Sequence, residues 1–256
     1  MKYFGNFFRN KDGMMSIEFA ASFCLFSALV FIIYDVYSTI MLQNKLERAN
    51  YAVASIFRER SAFYPVIDGT NNHKISLCHS NPSSCHKSYE LFDDAQVQEL
   101  EKLATSLLDS EVVIKVDALF ILQNVEHPKS LNHAKLVALS SESCSSGICN
   151  NTGIRSYFDS LPSITENLTN SAIASYSDLA PYAPRFIDTT TGLDGRWIPI
   201  YRVSMCIVNE ESLYLKWINS NRKATDTFPN LCSNTVVISR CNDITNVNTA
   251  CPIYHR

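Results

Sequence analysis

The sequence predicts an α+β protein: one long N-terminal helix that crosses a membrane, followed by a disulfide-bearing α/β head with an antiparallel sheet. Three observations carry this reading. No glycine or proline falls between Met14 and Tyr64, so nothing breaks a helix there. The first half of that stretch is almost wholly apolar. Beyond it, β-branched runs alternate with helical patterns and loops, and eight of the nine cysteines lie in this later part.

The helix comes first, over 14–64. At about 1.5 Å per residue it makes a rod of roughly 75 Å. Phe19 to Tyr34 carries no charge; Asp35 interrupts the run, and Val36, Tyr37, Ile40, Met41 and Leu42 continue it. A span needs about 20 mainly apolar residues, and 19–42 meets that length with Asp35 near one interface and Glu18 at the other edge. The preceding segment, 1–13, is short and basic, with Lys2, Arg9 and Lys11 against Asp12. Basic residues before a span hold that end in the cytoplasm, which places the head, 65–256, outside the cytoplasmic membrane. A cleaved export signal is one alternative. It calls for a shorter apolar core and a small-residue cleavage site, whereas Ala20, Ala21, Ser22 and Ala28 are scattered inside the run. A plain uncleaved anchor is another.

Past the membrane, Leu42, Leu46, Ala49, Val53, Ile56 and Arg60 recur at alternating four- and three-residue steps and fall on one stripe. Lys45, Glu47, Arg58 and Glu59 lie on the other side. The stripe docks either on the chain's own head or on a partner helix, and it is too short to define a coiled coil. Tyr64-Pro65 closes the helix, because the residue before a proline is pushed out of the helical region.

The head begins with a polar loop to about Asp93. Asp93 or Asp94 caps a helix to Leu108, with Val97, Leu100, Leu103, Ala104, Leu107 and Leu108 as its apolar face. Glu111–Phe120 reads as a strand and Ala134–Leu139 as a second, paired with it across a turn at His127-Pro128. Ser140–Gly153 reads as loop, Leu161–Ile173 as a weaker helix, and Asp178–Gly195 as a surface excursion. Trp197–Val208 is the clearest strand, with Pro199 marking an edge or an irregularity. A short helix over Glu210–Asn219 and a strand over Thr235–Arg240 complete the series.

Cys24 sits in the apolar run as a small apolar residue. The other eight are Cys78, Cys85, Cys144, Cys149, Cys206, Cys232, Cys241 and Cys251, an even number that suits disulfides on the exported side. The local pairs Cys78–Cys85 and Cys144–Cys149 are expected, with the last four pairing among themselves. Cys78, Cys85, His73, His79 and His86 also offer zinc-type ligands, but the oxidising compartment favours disulfides.

Little in the chain points to catalysis. No Gly-x-Ser-x-Gly, His-Glu-x-x-His or phosphate loop occurs. Asp93 and Asp94 are better explained as caps than as an acid pair; His73, His79 and Asp94 would be the first suspects for an enzyme. The net charge of −3 and the lack of a basic patch interleaved with aromatics argue against nucleic acid. No enzyme activity, cofactor or metal is expected.

A more specific reading comes from likeness. Gly13, followed by four residues and then Glu18-Phe19 at the head of an apolar helix, resembles the processing site of type IV prepilins in their short-leader, tight-adherence (Flp) form. The run Asn44–Tyr51, then Ser55–Arg60 and Tyr64, resembles the post-membrane helix of the TadF minor pseudopilins, as does Trp197–Cys206. The resemblance implies a pilin-like chain cut by a prepilin peptidase after Gly13. Met14 would then be the new N-terminus, with Glu18 beside it at the membrane edge. It implies assembly through Glu18 and the stripe Leu42, Leu46, Ala49, Val53 and Ile56. The implied partners are that peptidase, other minor pseudopilins, the major Flp pilin and the inner-membrane assembly platform. A different class remains open: a membrane-anchored adhesin or binding head, with Tyr182 and Phe186 as surface aromatics.

Overall fold

A computed structural model of the 256-residue chain describes residues 11–68, 87–130, 133–164, 182–187, 194–208, 230–241 and 251–255. Helix α1, Lys11–Arg58, is continuous for 48 residues, a length of about 72 Å at the standard rise. Glu59 breaks it, and a single turn, α2 (Arg60–Phe63), follows. Tyr64 is extended, with ψ 147°, as expected ahead of Pro65.

The centre of the head is a four-stranded antiparallel sheet in the order β4-β3-β7-β8. These strands are β3 Val112–Leu122, β4 Lys135–Cys144, β7 Ile200–Val208 and β8 Asn230–Ile238. Two small ribbons accompany it: β1 (Ile67–Asp68) with β2 (Lys87–Ser88), and β5 (Tyr182–Ile187) with β6 (Asp194–Trp197). Helix α3, Asp94–Leu108, lies with the second half of α1 on one face of the sheet. The Asp93 side chain accepts from Gln96 N at 2.9 Å, the N-cap that the sequence indicates.

The main core lies between these helices and the sheet. Leu46, Val53 and Phe57 of α1 and Val97, Leu100 and Ala104 of α3 meet Ile114, Val116, Phe120, Tyr201, Val203 and Met205. Phe57, Phe92 and Tyr201 pack edge to face, with centroids 5.0–6.3 Å apart. The other face of the sheet carries two smaller clusters. One forms under α4 (Thr152–Ser160) from Val113, Ile148, Ile154, Phe158 and Cys206; the second joins Leu119, Ile121, Ile164, Trp197 and Ile200. Strand β3 is therefore covered on both faces, which explains why Val112–Leu122 alternates only in part. On this second face Arg202 reaches across the β3–β7 pair. Its Nε and Nη2 donate to Asp117 Oδ2 at 3.0 and 2.6 Å, and both residues are buried.

The α+β class holds, and several boundaries move. Ser140–Cys144 is the second half of β4 rather than loop; Ser140 donates to Asp117 Oδ1 and Ser141 to Asp94 Oδ1, so these serines serve as strand residues facing polar partners. Helix α4 begins after Asn151, whose side chain accepts from Gly153 N and Ile154 N; Leu161, read as a helix start, is its C-cap. The Trp197–Val208 run is split at Ile198-Pro199, because proline cannot donate to a ladder. The Pro199 carbonyl instead accepts from Ser239 N at 2.9 Å. Part of the excursion over 178–195 is the β5–β6 ribbon, where Pro184 falls in the register shift between Ala183 and Ile187. Strand β8 starts at Asn230, five residues before the expected Thr235. The proposed helix at 210–219 and the 165–173 part of the other lie outside the described residues.

Three disulfides are formed among the described cysteines. Cys144–Cys149 has a Cα separation of 5.3 Å and closes the turn after β4. Cys206–Cys232 joins directly opposite positions on β7 and β8. Cys241–Cys251 ties the chain after β8 to the segment holding Tyr254. The expected pairing among the last four is thus 206–232 and 241–251. Cys78 and Cys85, with His73, His79 and His86, lie outside the described residues.

Candidate functional site: the long helix and its seat on the head

Helix α1 is divided by its surroundings. From Phe19 to Met41 its large apolar side chains are bare: Phe19 is 74% exposed and Leu25 73%. An exposed apolar rod of this length is unstable in water, and it is long and apolar enough to cross a membrane. Cys24, a free thiol, stands on it, exposed. Glu18, near its start, is exposed too, and forms no hydrogen bond or ion pair with any described residue. Gly13 and Met14 are within α1. Asp35 is half-buried, and its carbonyl accepts from Ser38 Oγ and Thr39 Oγ1 at 3.0 Å each.

The second half of α1 turns into a core helix. Leu46, Ala49 and Val53 face the chain's own sheet; Leu42 and Ile56 are only partly buried. The line that is fully enclosed runs Leu46, Asn50, Val53, Phe57, Arg60, again in steps of four and three. Two of these are polar. Asn50 Nδ2 lies 3.3 Å from Val203 O, 3.2 Å from Ser233 Oγ and 3.3 Å from Thr235 Oγ1, which fixes the helix against β7 and β8.

Arg60 is the second, with no exposed surface at all. Its Nε donates to Tyr89 O at 2.6 Å, and its Nη2 donates to Leu91 O and Gln96 Oε1. The guanidinium lies over the Phe57 ring at 4.6 Å, with Tyr64 and Phe92 at 5.5 and 5.6 Å. Burial lowers its pKa, with Tyr201, Tyr64, Glu90 and Tyr254 opposing that shift. Around it, Ser239 Oγ donates to Glu90 Oε1 at 3.0 Å, Tyr254 OH lies 3.0 Å from Glu90 Oε2, and Tyr201 OH donates to Glu90 O at 2.7 Å. The upper end of the helix is therefore held by a buried polar network as well as by apolar contact.

The stripe legible in the sequence includes Arg60 without indicating its role, and it leaves out Asn50, Phe57 and Glu90. The signal was the spacing: Asn50 and Phe57 fit the same four-three rhythm as the apolar residues beside them. Of the enzyme suspects, Asp94 accepts from Ser141 at the start of α3, while His73 and His79 lie outside the described residues. Among the described residues no group of three or more His, Cys, Asp or Glu side chains converges as a metal site. Tyr182 and Phe186 stand on β5.

No curated protein and no solved structure matches the chain. A family model does, that of tight adherence pilin protein F, over residues 6–240. The match runs from before the apolar helix to the end of β8, so it takes in the membrane helix, its seat and the whole central sheet. The chain belongs to the TadF family of tight adherence pilin proteins.

Proposed function

We propose that this chain is a minor pseudopilin in the assembly of a Flp, or tight adherence, pilus, cut by a prepilin peptidase after Gly13. Its family is one of pilin subunits rather than enzymes. The single observation that supports the proposal best is the division of α1. A bare apolar half carries an exposed carboxylate, Glu18, near its start, and the same helix is locked into the head further on. A carboxylate drawn into the apolar layer is costly unless paired, and Glu18 directly adjoins the apolar run. Cleavage after Gly13 would create an ammonium at Met14, four residues away, and that of a neighbouring subunit is the natural counter-charge for Glu18.

In this reading the leader lies in the cytoplasm and the head in the periplasm. The partners are the peptidase, other minor pseudopilins, the major Flp pilin and the inner-membrane platform. Glu18 and the lipid-facing surface of α1 make the contacts between subunits. The stripe from Leu42 to Ile56 contributes by holding the helix at a fixed angle to the head. The test is the N-terminal mass of the protein from isolated membranes, with and without the cognate peptidase. A chain starting at Met14 only when the peptidase is present is expected. An intact Met1 in both would reject processing, and a start near Asp35 or later would mean a secreted product. Glu18→Ala is expected to abolish the assembly role while the protein stays in the membrane.

A further inference from the structure

Where α1 leaves the head it borders an open cavity of about 1070 Å³. One wall is the helix, with Tyr34, Tyr37 and Met41 and, one to two turns on, Lys45 and Arg48. The opposite wall is the turn between α3 and β3, Asp109-Ser110-Glu111. We propose that this cavity seats one phospholipid headgroup bearing both a phosphate and a primary ammonium, of the ethanolamine class. The proposal rests on the reading of α1 as a membrane span.

Position is the first argument. The bare apolar surface of α1 ends at Met41, and the cavity straddles that end, so it lies at the headgroup level of the leaflet on the head's side. Tyrosines are favoured at that depth, and Tyr34 and Tyr37 are both exposed there. Unmet polar groups are the second. The Arg48, Asp109 and Glu111 side chains form no hydrogen bond or ion pair with any described residue. Ser110 Oγ is buried with no hydrogen-bond partner among the described residues. Lys45 differs, since its ammonium donates to Leu108 O at 2.8 Å and ties the helix to the end of α3. Asp109 takes a left-handed conformation, φ 55°, as the C-cap of α3, where glycine is the usual choice. The carboxylate is thus present at some backbone cost.

Charge selects the occupant. Two cations stand on one wall and two carboxylates on the other. A phosphate would be drawn to Arg48 and an ammonium to Asp109 and Glu111. An anionic headgroup would meet the carboxylates unfavourably, and a trimethylated ammonium cannot donate hydrogen bonds to them. A neighbouring apolar helix would have to bury four charges, three of them without a partner among the described residues.

The test uses the full chain in detergent, delipidated and then titrated with phosphatidylethanolamine, phosphatidylcholine or phosphatidylglycerol of the same acyl chains, with bound lipids counted by native mass spectrometry. One phosphatidylethanolamine per chain is expected, held about tenfold more tightly than the other two. Arg48→Ala and Glu111→Gln, both at exposed positions, should each remove about that preference while the disulfides and circular dichroism stay unchanged. Equal binding of all three lipids, or indifference to both substitutions, would overturn the proposal. So would a preference for phosphatidylglycerol, or a dimer of the chain that the same substitutions dissolve. Alkaline carbonate extraction of native membranes tests the span separately: release into the soluble fraction would reject the span, whereas selective lipid binding by that released protein would keep the seat.

Discussion

Arg60 offers the sharpest test of how the helix is held. It is wholly buried and donates to Tyr89 O, Leu91 O and Gln96 Oε1 while stacked on Phe57. Each hydrogen bond from a charged donor is worth about 1.5–3 kcal/mol net. The ring stack adds about 1–2 kcal/mol when desolvated. The desolvation that lowers the guanidinium's pKa opposes these gains, so their sum is not reached. Removing the side chain also strands two buried carbonyls. Arg60→Ala is therefore expected to cost about 3–5 kcal/mol, from two stranded carbonyls at about 1–3 kcal/mol each and the lost ring stack. That is a large share of the roughly 5–15 kcal/mol that holds a domain folded. Arg60→Met separates the contributions, because it keeps much of the volume and loses every donor; about 2–4 kcal/mol is expected from the stranded carbonyls. The assay is urea unfolding of the full chain in detergent with disulfides intact, followed by tryptophan fluorescence. The m value should stay constant so that midpoints can be compared. A loss below about 1 kcal/mol for Arg60→Ala would be the size of an ordinary substitution, and would refute the clamp.

The two halves of α1 should respond differently to truncation. Leu46→Ala, in the core, is expected to cost about 2–5 kcal/mol, while Ile40→Ala, on the bare half, should leave head stability within about 0.5 kcal/mol, both read from the same unfolding curves. A peptide map without reduction should show the linkages 144–149, 206–232 and 241–251. In the same preparation Cys24 should take up a maleimide without reductant. Replacing Cys206 and Cys232 together by alanine should lower stability by about 3 kcal/mol through loss of the loop closure.

What could be read from the chain depended on whether local pattern and tertiary setting agreed. Asp93 and the spacing of Val97, Leu100 and Ala104 agree, and α3 was legible to within a residue. Strand β3 was legible because buried β-branched residues on both faces still favour a strand. The serines of β4 misled because a polar run reads as loop, whereas Asp117 and Asp94 supply partners that only the folded sheet brings close. Helix α4 was not legible because its cap, Asn151, lies within a Cys- and Ser-rich stretch that reads as loop. At the candidate site, the apolar stripe was visible and its polar members were not. Asn50 and Arg60 look like surface residues until β7, β8 and the 89–96 segment surround them. Lys45, Arg48, Asp109 and Glu111 belong to two segments far apart in sequence, so no local pattern unites them.

The placing of those polar residues bears on how such a subunit would work. An apolar stripe alone fixes a helix poorly along its axis, because one leucine can exchange for another with a one-turn slide. Asn50 cannot slide without losing Val203 O, Ser233 and Thr235 together, nor Arg60 without leaving Tyr89 and Leu91 unpaired. Each costs more when broken than an apolar contact shifted by one turn. Lys45, donating to Leu108 O, adds a third fixed point at the membrane end of the head. Lys45 and Asn50 hold α1 itself, and Arg60 holds the turn that follows its end. A pull on the membrane half of α1 is thus transmitted to β7, β8 and the end of α3 at once, rather than absorbed by slip. A head joined in this way moves with its helix as one body, which is what a subunit drawn out of a membrane into an assembly requires.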